Sequence, residues 1–573
     1  MEKKDLIIRV AGEGGEGIIS SGDFIAAACA RAGLEVYTFK TFPAEIKGGY
    51  AMYQVRASSE KLYCQGDTFD VFCAFNGEAY EQNKDKIKPG TAFVYDYPGG
   101  DFEPDEIPEG VFAYPIPMSQ TAKEMKSYRS KNMVALGALS ELFNISENTL
   151  KEVLSDKFGK KGEEVLAFNL EAFDKGKALA KALTKADPFR VADPQEPKDV
   201  IIMAGNDAVG LGGILGGLEF FSAYPITPAT EVAKYVATHL PKCGGDLVQA
   251  EDEIASIAQV LGASYAGKKS MTATSGPGLA LMSEMLGMAH MSETPCLVVD
   301  VQRGGPSTGL PTKHEQSDLF LAIHGGHGDS PRIVLSVEDV KDCISMTVDG
   351  LNLAEKYQAP VIVLSDGSLA FSTQTIPRPK PEDFTIINRK TWDGQGTYKR
   401  YELTEDNISP MAAPGTPNAK HIATGLEHGE TGAPNYSPAN HELMHRKRFN
   451  KQNSVLDFYK NMEVEGVEGE ADVGIITWGS TIGVVREAMQ RLTAEGLKVK
   501  AMYPKLLWPM PVADYDAFGA TCKKVIVPEV NFQGQLSHFI RAETSIKPIP
   551  YTICGGLPFT PEMIVNRVKE EIQ

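Results

Sequence analysis

The chain has 573 residues, 42% hydrophobic and 23% charged, which is the balance of an ordinary globular protein with room for three or four domains at about 100–200 residues each. Its net charge of −18 excludes nucleic acid or an anionic membrane as the main partner, because both call for a basic footprint; an acidic surface kept for solubility accounts for it. The eight cysteines (Cys29, Cys64, Cys73, Cys243, Cys296, Cys343, Cys522 and Cys554) are scattered and form no CxxC, so they suggest neither a disulfide framework nor a metal cluster and read as buried, reduced thiols.

The first apolar run, residues 6–10, is too short for a signal peptide or a membrane span, and a cytoplasmic location is expected. It reads as a strand followed by a glycine-rich turn and a helix from 18 to about 30. Gly12-Glu13-Gly14-Gly15-Glu16-Gly17 fits GxGxxG, with Glu35 at the distance of a ribose-binding acid. A plain strand-to-helix turn needs the same glycines, and that is the reading we prefer. The αβ punctuation continues through 1–186. A polar, proline-bearing linker follows over 187–198.

Residues 199–373 alternate short β-branched runs with small-residue helices. The runs 200–204, 296–301 and 359–365 read as buried parallel strands of a doubly wound α/β sheet. Residues 374–469, rich in Pro, Gly, Asn and His, read as an irregular arm. From 470 to 573 the α/β pattern returns, with strands at 473–477 and 525–528 and a helix at 482–495.

Two motifs carry possible chemistry. In the arm, His441-Glu442-Leu443-Met444-His445 matches HExxH, which on a helix sets two imidazoles on one face. Short matches are common in a long chain, and no convincing third ligand follows, although Glu463 and Glu465 have a possible spacing. No metal site is therefore expected, and His324 and His327 read as loop histidines.

The second motif is a constellation at predicted strand ends, where open α/β sheets bind ligands. Tyr224-Pro225-Ile226-Thr227-Pro228-Ala229-Thr230 is a loop stiffened by two prolines and running into a helix cap. Glu251-Asp252-Glu253 opens a small-residue helix and could be no more than dipole compensation. Thr272-Ala273-Thr274-Ser275-Gly276-Pro277-Gly278 and the run from Gln302-Arg303-Gly304-Gly305 to Thr312 complete the set.

In this order the set resembles the alpha subunits of 2-oxoacid:ferredoxin oxidoreductases, most of all the 2-oxoglutarate type. The segment 1–186, with Phe42-Pro43-Ala44-Glu45-Ile46-Lys47-Gly48-Gly49, resembles the family's gamma domain. Residues 199–373 resemble its pyrimidine-type thiamine-diphosphate module, and 470–573 resemble a transketolase C-terminal domain. The resemblance implies a multidomain α/β enzyme that decarboxylates 2-oxoglutarate to succinyl-CoA and CO₂ with electrons to ferredoxin, or runs the reverse. Pyruvate or branched-chain oxoacids are the alternative substrates, and a non-catalytic assembly subunit is the alternative of another class.

The family's Gly-Asp-Gly…Asn motif for Mg²⁺ and its cluster cysteines are missing. The resemblance therefore places Mg²⁺ and the [4Fe–4S] cluster in a separate beta subunit, in a dimer of alpha–beta heterodimers, with coenzyme A as co-substrate. It gives Glu253, with Glu251 as second choice, the bond to the aminopyrimidine N1′, beside Tyr224, Pro225 and Ile226. It gives Thr227, Arg303 and Thr312 the substrate's 2-oxo-carboxylate, unless Arg303 serves a structural ion pair. Lys47, set between a proline and two glycines as though held in place, is read as a clamp for a distal carboxylate, unless it is an exposed loop lysine.

Overall fold

The computed structural model describes residues 2–43, 48–104, 106–183, 189–193, 195–196 and 199–573. The chain forms two compact units, 1–203 with 371–378, and 204–370 with 379–573.

The first unit is built on an eight-stranded sheet in the order Phe112–Ile116, Ala92–Asp96, Val71–Ala74, Asp5–Glu13, Tyr50–Ser58, Glu35–Thr41, Thr373–Pro377 and Val200–Ala204. The helix after the glycine-rich turn is Ile18–Arg31. That turn is internally satisfied. The Glu16 carboxylate accepts from the Glu13 amide at 2.8 Å and pairs with Lys131 at 3.0 Å. Glu35 accepts from the Thr375 hydroxyl at 3.1 Å, so the acid at ribose spacing is already engaged.

The strand Val200–Ala204 corrects an expectation: it lies at the edge of this sheet and is half-buried, not in the second unit's core. A five-residue apolar run carries no alternation that says which sheet it joins.

The second unit holds a seven-stranded sheet in the order Asp246–Gln249, Phe220–Ala223, Ser270–Thr274, Cys296–Gln302, Pro360–Asp366, Ile333–Ser336 and Leu506–Trp508. Pairing is parallel throughout except for Leu506–Trp508, which runs antiparallel to Ile333–Ser336. The strands after Phe220–Ala223 in the chain fall first on one side of it and then on the other. The crevice of a doubly wound sheet opens at such a switch point. A five-stranded sheet, Met462–Gly466, Val499–Pro504, Ala471–Ile476, Cys522–Glu529 and Pro548–Thr552, completes the unit. One apolar core joins both sheets, with Trp478, Met502 and Leu507 packed among Val298, Ile362 and Leu364.

Between these sheets the arm is mostly irregular over 385–437 and ends in the helix Pro438–Asn453. Its own apolar cluster is small: Tyr398, Ala412 and Ala419 with Trp392. Buried charge fastens it instead. Glu293, fully buried, takes Lys447 at 2.5 Å and Lys451 at 2.6 Å. Arg400 donates to the Glu293 carbonyl at 2.6 Å. Arg389 grips Glu355 and donates to the Lys268 carbonyl at 2.9 Å.

All eight cysteines are free, but Cys243 and Cys554 are exposed and Cys522 is half-buried, which corrects the expectation of uniformly buried thiols. Cys243 ends a short surface turn and Cys554 lies in a loop, where no sheet covers them. No described helix is long and apolar enough to cross a membrane.

Candidate active site

The loop 224–229 leaves the C-terminal end of Phe220–Ala223, the central strand of the crevice. Tyr224 and Pro225 are exposed, and Ile226 and Thr227 are half-buried. Two donors pin the loop by its carbonyls. The buried Asn206 amide donates to Pro228 O at 2.6 Å, and Arg303 Nη1 donates to Thr227 O at 2.6 Å. The helix begins at Thr230 with Ala229, not a hydroxyl side chain, in the capping position.

On the next strand end, Asp252 caps the helix Glu253–Tyr265 by accepting from the Ala255 amide at 2.7 Å. Capping by Asp252 turns its neighbours opposite ways. Glu251 is exposed, while Glu253 is only 6% exposed. No group among the described residues donates a hydrogen bond to the Glu253 carboxylate. A Cβ added at Gly278 would stand 2.7 Å from Glu253 Cγ and 2.0 Å from Thr274 Oγ1. The glycine is what lets that carboxylate sit against the start of the helix Gly276–Met291.

Arg303 follows Cys296–Gln302 directly and is 8% exposed. It makes no ion pair among the described residues, which removes the structural ion-pair reading. Its Nε has no partner. With Nη1 spent on the loop, the other edge of the guanidinium remains for a planar anion. Burial lowers its pKa, opposed by the charges of Asp318 and Glu253. Thr312 lies in the same loop, half-buried, beyond the pinch where Leu310 N donates to Gly304 O at 2.8 Å. Lys47 lies outside the described residues.

Sequence reasoning missed Asp300 and Asp318. Burial and then the Asp318 charge push the Asp300 carboxyl well above the carboxylate range; burial likewise pushes Asp318 up to about 6. The signal was a lone carboxylate inside the apolar run Cys296–Gln302. Two buried carboxyls that act on each other in this way are expected to hold one proton between them. Their folded-state values are raised, so their stability is complete below the ordinary carboxylate range and is lost as pH rises through about 6. Asp300→Asn, whose amide can donate to Asp318, is expected to reduce that loss by removing the Asp300 contribution. Melting curves should show Tm falling more steeply between pH 5 and 7.5 in the wild type than in the variant. Parallel profiles would refute the shared proton.

Three family matches cover the chain. Residues 7–179 match "Pyruvate ferredoxin/flavodoxin oxidoreductase". Residues 212–447 match "Pyruvate flavodoxin/ferredoxin oxidoreductase, thiamine diP-bdg", and residues 471–564 match "Pyruvate:ferredoxin oxidoreductase core domain II". The "2-oxoglutarate oxidoreductase subunit KorA" of Mycobacterium tuberculosis is 31% identical over 98% of this chain and 90% of its own. The chain belongs to the 2-oxoacid:ferredoxin oxidoreductase family, as an alpha subunit.

Subunit alpha of "2-oxoacid:ferredoxin oxidoreductase 2" from Aeropyrum pernix is 30% identical over 95% of this alpha subunit and 94% of its own length. The "2-oxoglutarate synthase subunit KorA" of Methanocaldococcus jannaschii is 41% identical over 59% of this chain and 90% of its own. The motif-level resemblance thus holds over nearly the whole chain. The relatives are named as subunits, and this alpha subunit likewise works with a partner chain.

Proposed function

We propose that this alpha subunit supplies the pyrimidine-binding half of a CoA-dependent 2-oxoglutarate:ferredoxin oxidoreductase. A beta subunit would hold the cofactor's diphosphate, Mg²⁺ and a [4Fe–4S] cluster. The reaction converts 2-oxoglutarate and CoA to succinyl-CoA and CO₂, with two electrons passed to ferredoxin. The observation that carries this reading is Glu253: a buried carboxylate with no donor among the described residues, at the switch-point crevice, near enough for its charge to act on Arg303. The carboxylate oxygens are not sealed off from the crevice, so they can accept from a ligand there, and the N1′ side of an aminopyrimidine offers the donor.

Thiamine diphosphate, when bound, supplies the carbanion chemistry of decarboxylation. The chain's own residues position it. Glu253 would hold the proton at N1′, and Tyr224, Pro225 and Ile226, on the pinned loop, would help to hold the ring. Arg303 and Thr227 receive the 2-oxo-carboxylate, with Thr312 as a further donor. Exposed Tyr224, Val248, Ile254 and Leu310, each 38–47% exposed, surround this strand end as an apolar surface suited to the partner subunit. A silent assembly subunit would have no use for an unpartnered Glu253 beside an unpaired Arg303.

The substrate assignment rests on the relatives named for 2-oxoglutarate and on charge. A dicarboxylate carries a second anion that needs its own cation, and a closed site penalises an unpaired charge heavily. With both subunits together, kcat/KM for 2-oxoglutarate is expected to exceed that for pyruvate or 2-oxoisovalerate at least about a hundredfold, ~3 kcal/mol. A preference for either monocarboxylate would overturn the assignment.

A further inference from the structure

The HExxH segment lies on the helix Pro438–Asn453, where His441 and His445 stand one turn apart on one face with ring centroids 4.3 Å apart. The third group comes from upstream. Glu427, in the irregular stretch before the helix, brings a carboxylate oxygen to 2.6 Å from His441 Nδ1. One donor atom from each of Glu427, His441 and His445 lies within 4.8 Å of the other two. Small side-chain rotations would close such a set around an ion at about 2.0–2.2 Å from each donor.

The surroundings suit a metal more than a plain hydrogen-bond pair. Fully buried Arg448 holds the Glu427 carboxylate from behind at 2.9 and 3.3 Å, as partners outside the ligand sphere hold ligating carboxylates. His441 and His445 line a cavity of about 390 Å³ together with His290, His327 and Asp329. His290 is 5% exposed, and its Nε2 has no partner.

We propose that Glu427, His441 and His445 bind one divalent transition-metal ion of the zinc class, with the cavity side left for water or His290. Imidazole-rich sets of this kind favour zinc, cobalt or nickel over magnesium or calcium. The site is structural. Glu442, which would act as base in a hydrolase, is turned outward to Arg446 at 2.6 Å. Glu463 and Glu465, the ligands looked for downstream, pair with Arg486 instead. The ion would tie the loop around Glu427 to the helix whose Lys447 and Lys451 anchor the arm on Glu293.

The full chain, stripped with a chelator and dialysed, should be titrated with Zn²⁺ and, separately, with Co²⁺. Elemental analysis is expected to show one retained zinc per chain. Co²⁺ should give the visible absorption of a four- or five-coordinate nitrogen–oxygen site, and Zn²⁺ should raise Tm by several degrees. His441→Gln and His445→Gln should lose all three responses, while Glu463→Gln should keep them. His441 is exposed, so its replacement leaves the fold intact. No retained zinc, or binding that survives both histidine variants, would overturn the site.

Discussion

Glu253→Gln is expected to lower 2-oxoacid-dependent turnover of the assembled enzyme at least about a hundredfold, the usual scale for a proton-transfer role. Tm should change little, because no group among the described residues donates a hydrogen bond to this carboxylate and only the charge of Arg303 feels it. Glutamine keeps the shape but cannot form the charge-assisted bond. Glu251→Gln is the contrast. Glu251 is exposed while Glu253 is 6% exposed, so its turnover should stay within about threefold of wild type. Steady-state kinetics with thermal melts on both variants would decide it. A crippled Glu251→Gln beside an active Glu253→Gln would move the role by two residues.

Glu293→Gln is expected to cost about 3–5 kcal/mol, because removing one partner leaves buried charge uncompensated. Burial alone would raise the Glu293 pKa, but Lys447, Lys451 and Arg400 outweigh it and hold the carboxyl well below its ordinary range. Burial meanwhile lowers Lys451 to about 8. With the folded-state value of Glu293 depressed, its stabilisation is present above the ordinary carboxylate range and lost on acidification. The variant should melt roughly 5 °C lower at pH 7, and the gap should shrink toward pH 3. Limited proteolysis should cut first between 385 and 437, the irregular stretch this anchor fastens. Melting within about 2 °C of wild type would show that the arm does not depend on Glu293.

Much of the site was legible in the sequence because its parts are local. Prolines stiffen the Tyr224–Thr227 loop, glycines leave room at Gly276 and Gly278, and Arg303 ends an apolar strand. What stayed hidden depends on packing between distant segments. Nothing in the sequence marks Lys447 and Lys451 for burial, yet both are buried on Glu293, more than 150 positions earlier. Glu427 meets His441 fourteen residues on, from the side opposite to the downstream ligand that an HExxH spacing leads one to seek. Residues 200–204 were legible as a strand but not as to their sheet, because an edge strand and a core strand can share one apolar run. The exposure of Cys243 and Cys554 is a matter of loop position, which composition does not encode.

The central claim is that this chain holds one half of a shared site, and reduction of a viologen dye tests it most directly. Supplied with thiamine diphosphate, Mg²⁺, CoA and 2-oxoglutarate, the purified chain alone should reduce no dye, and addition of its beta subunit should start CoA-dependent reduction. Robust reduction by the chain alone, or none from the assembled pair, would contradict the account.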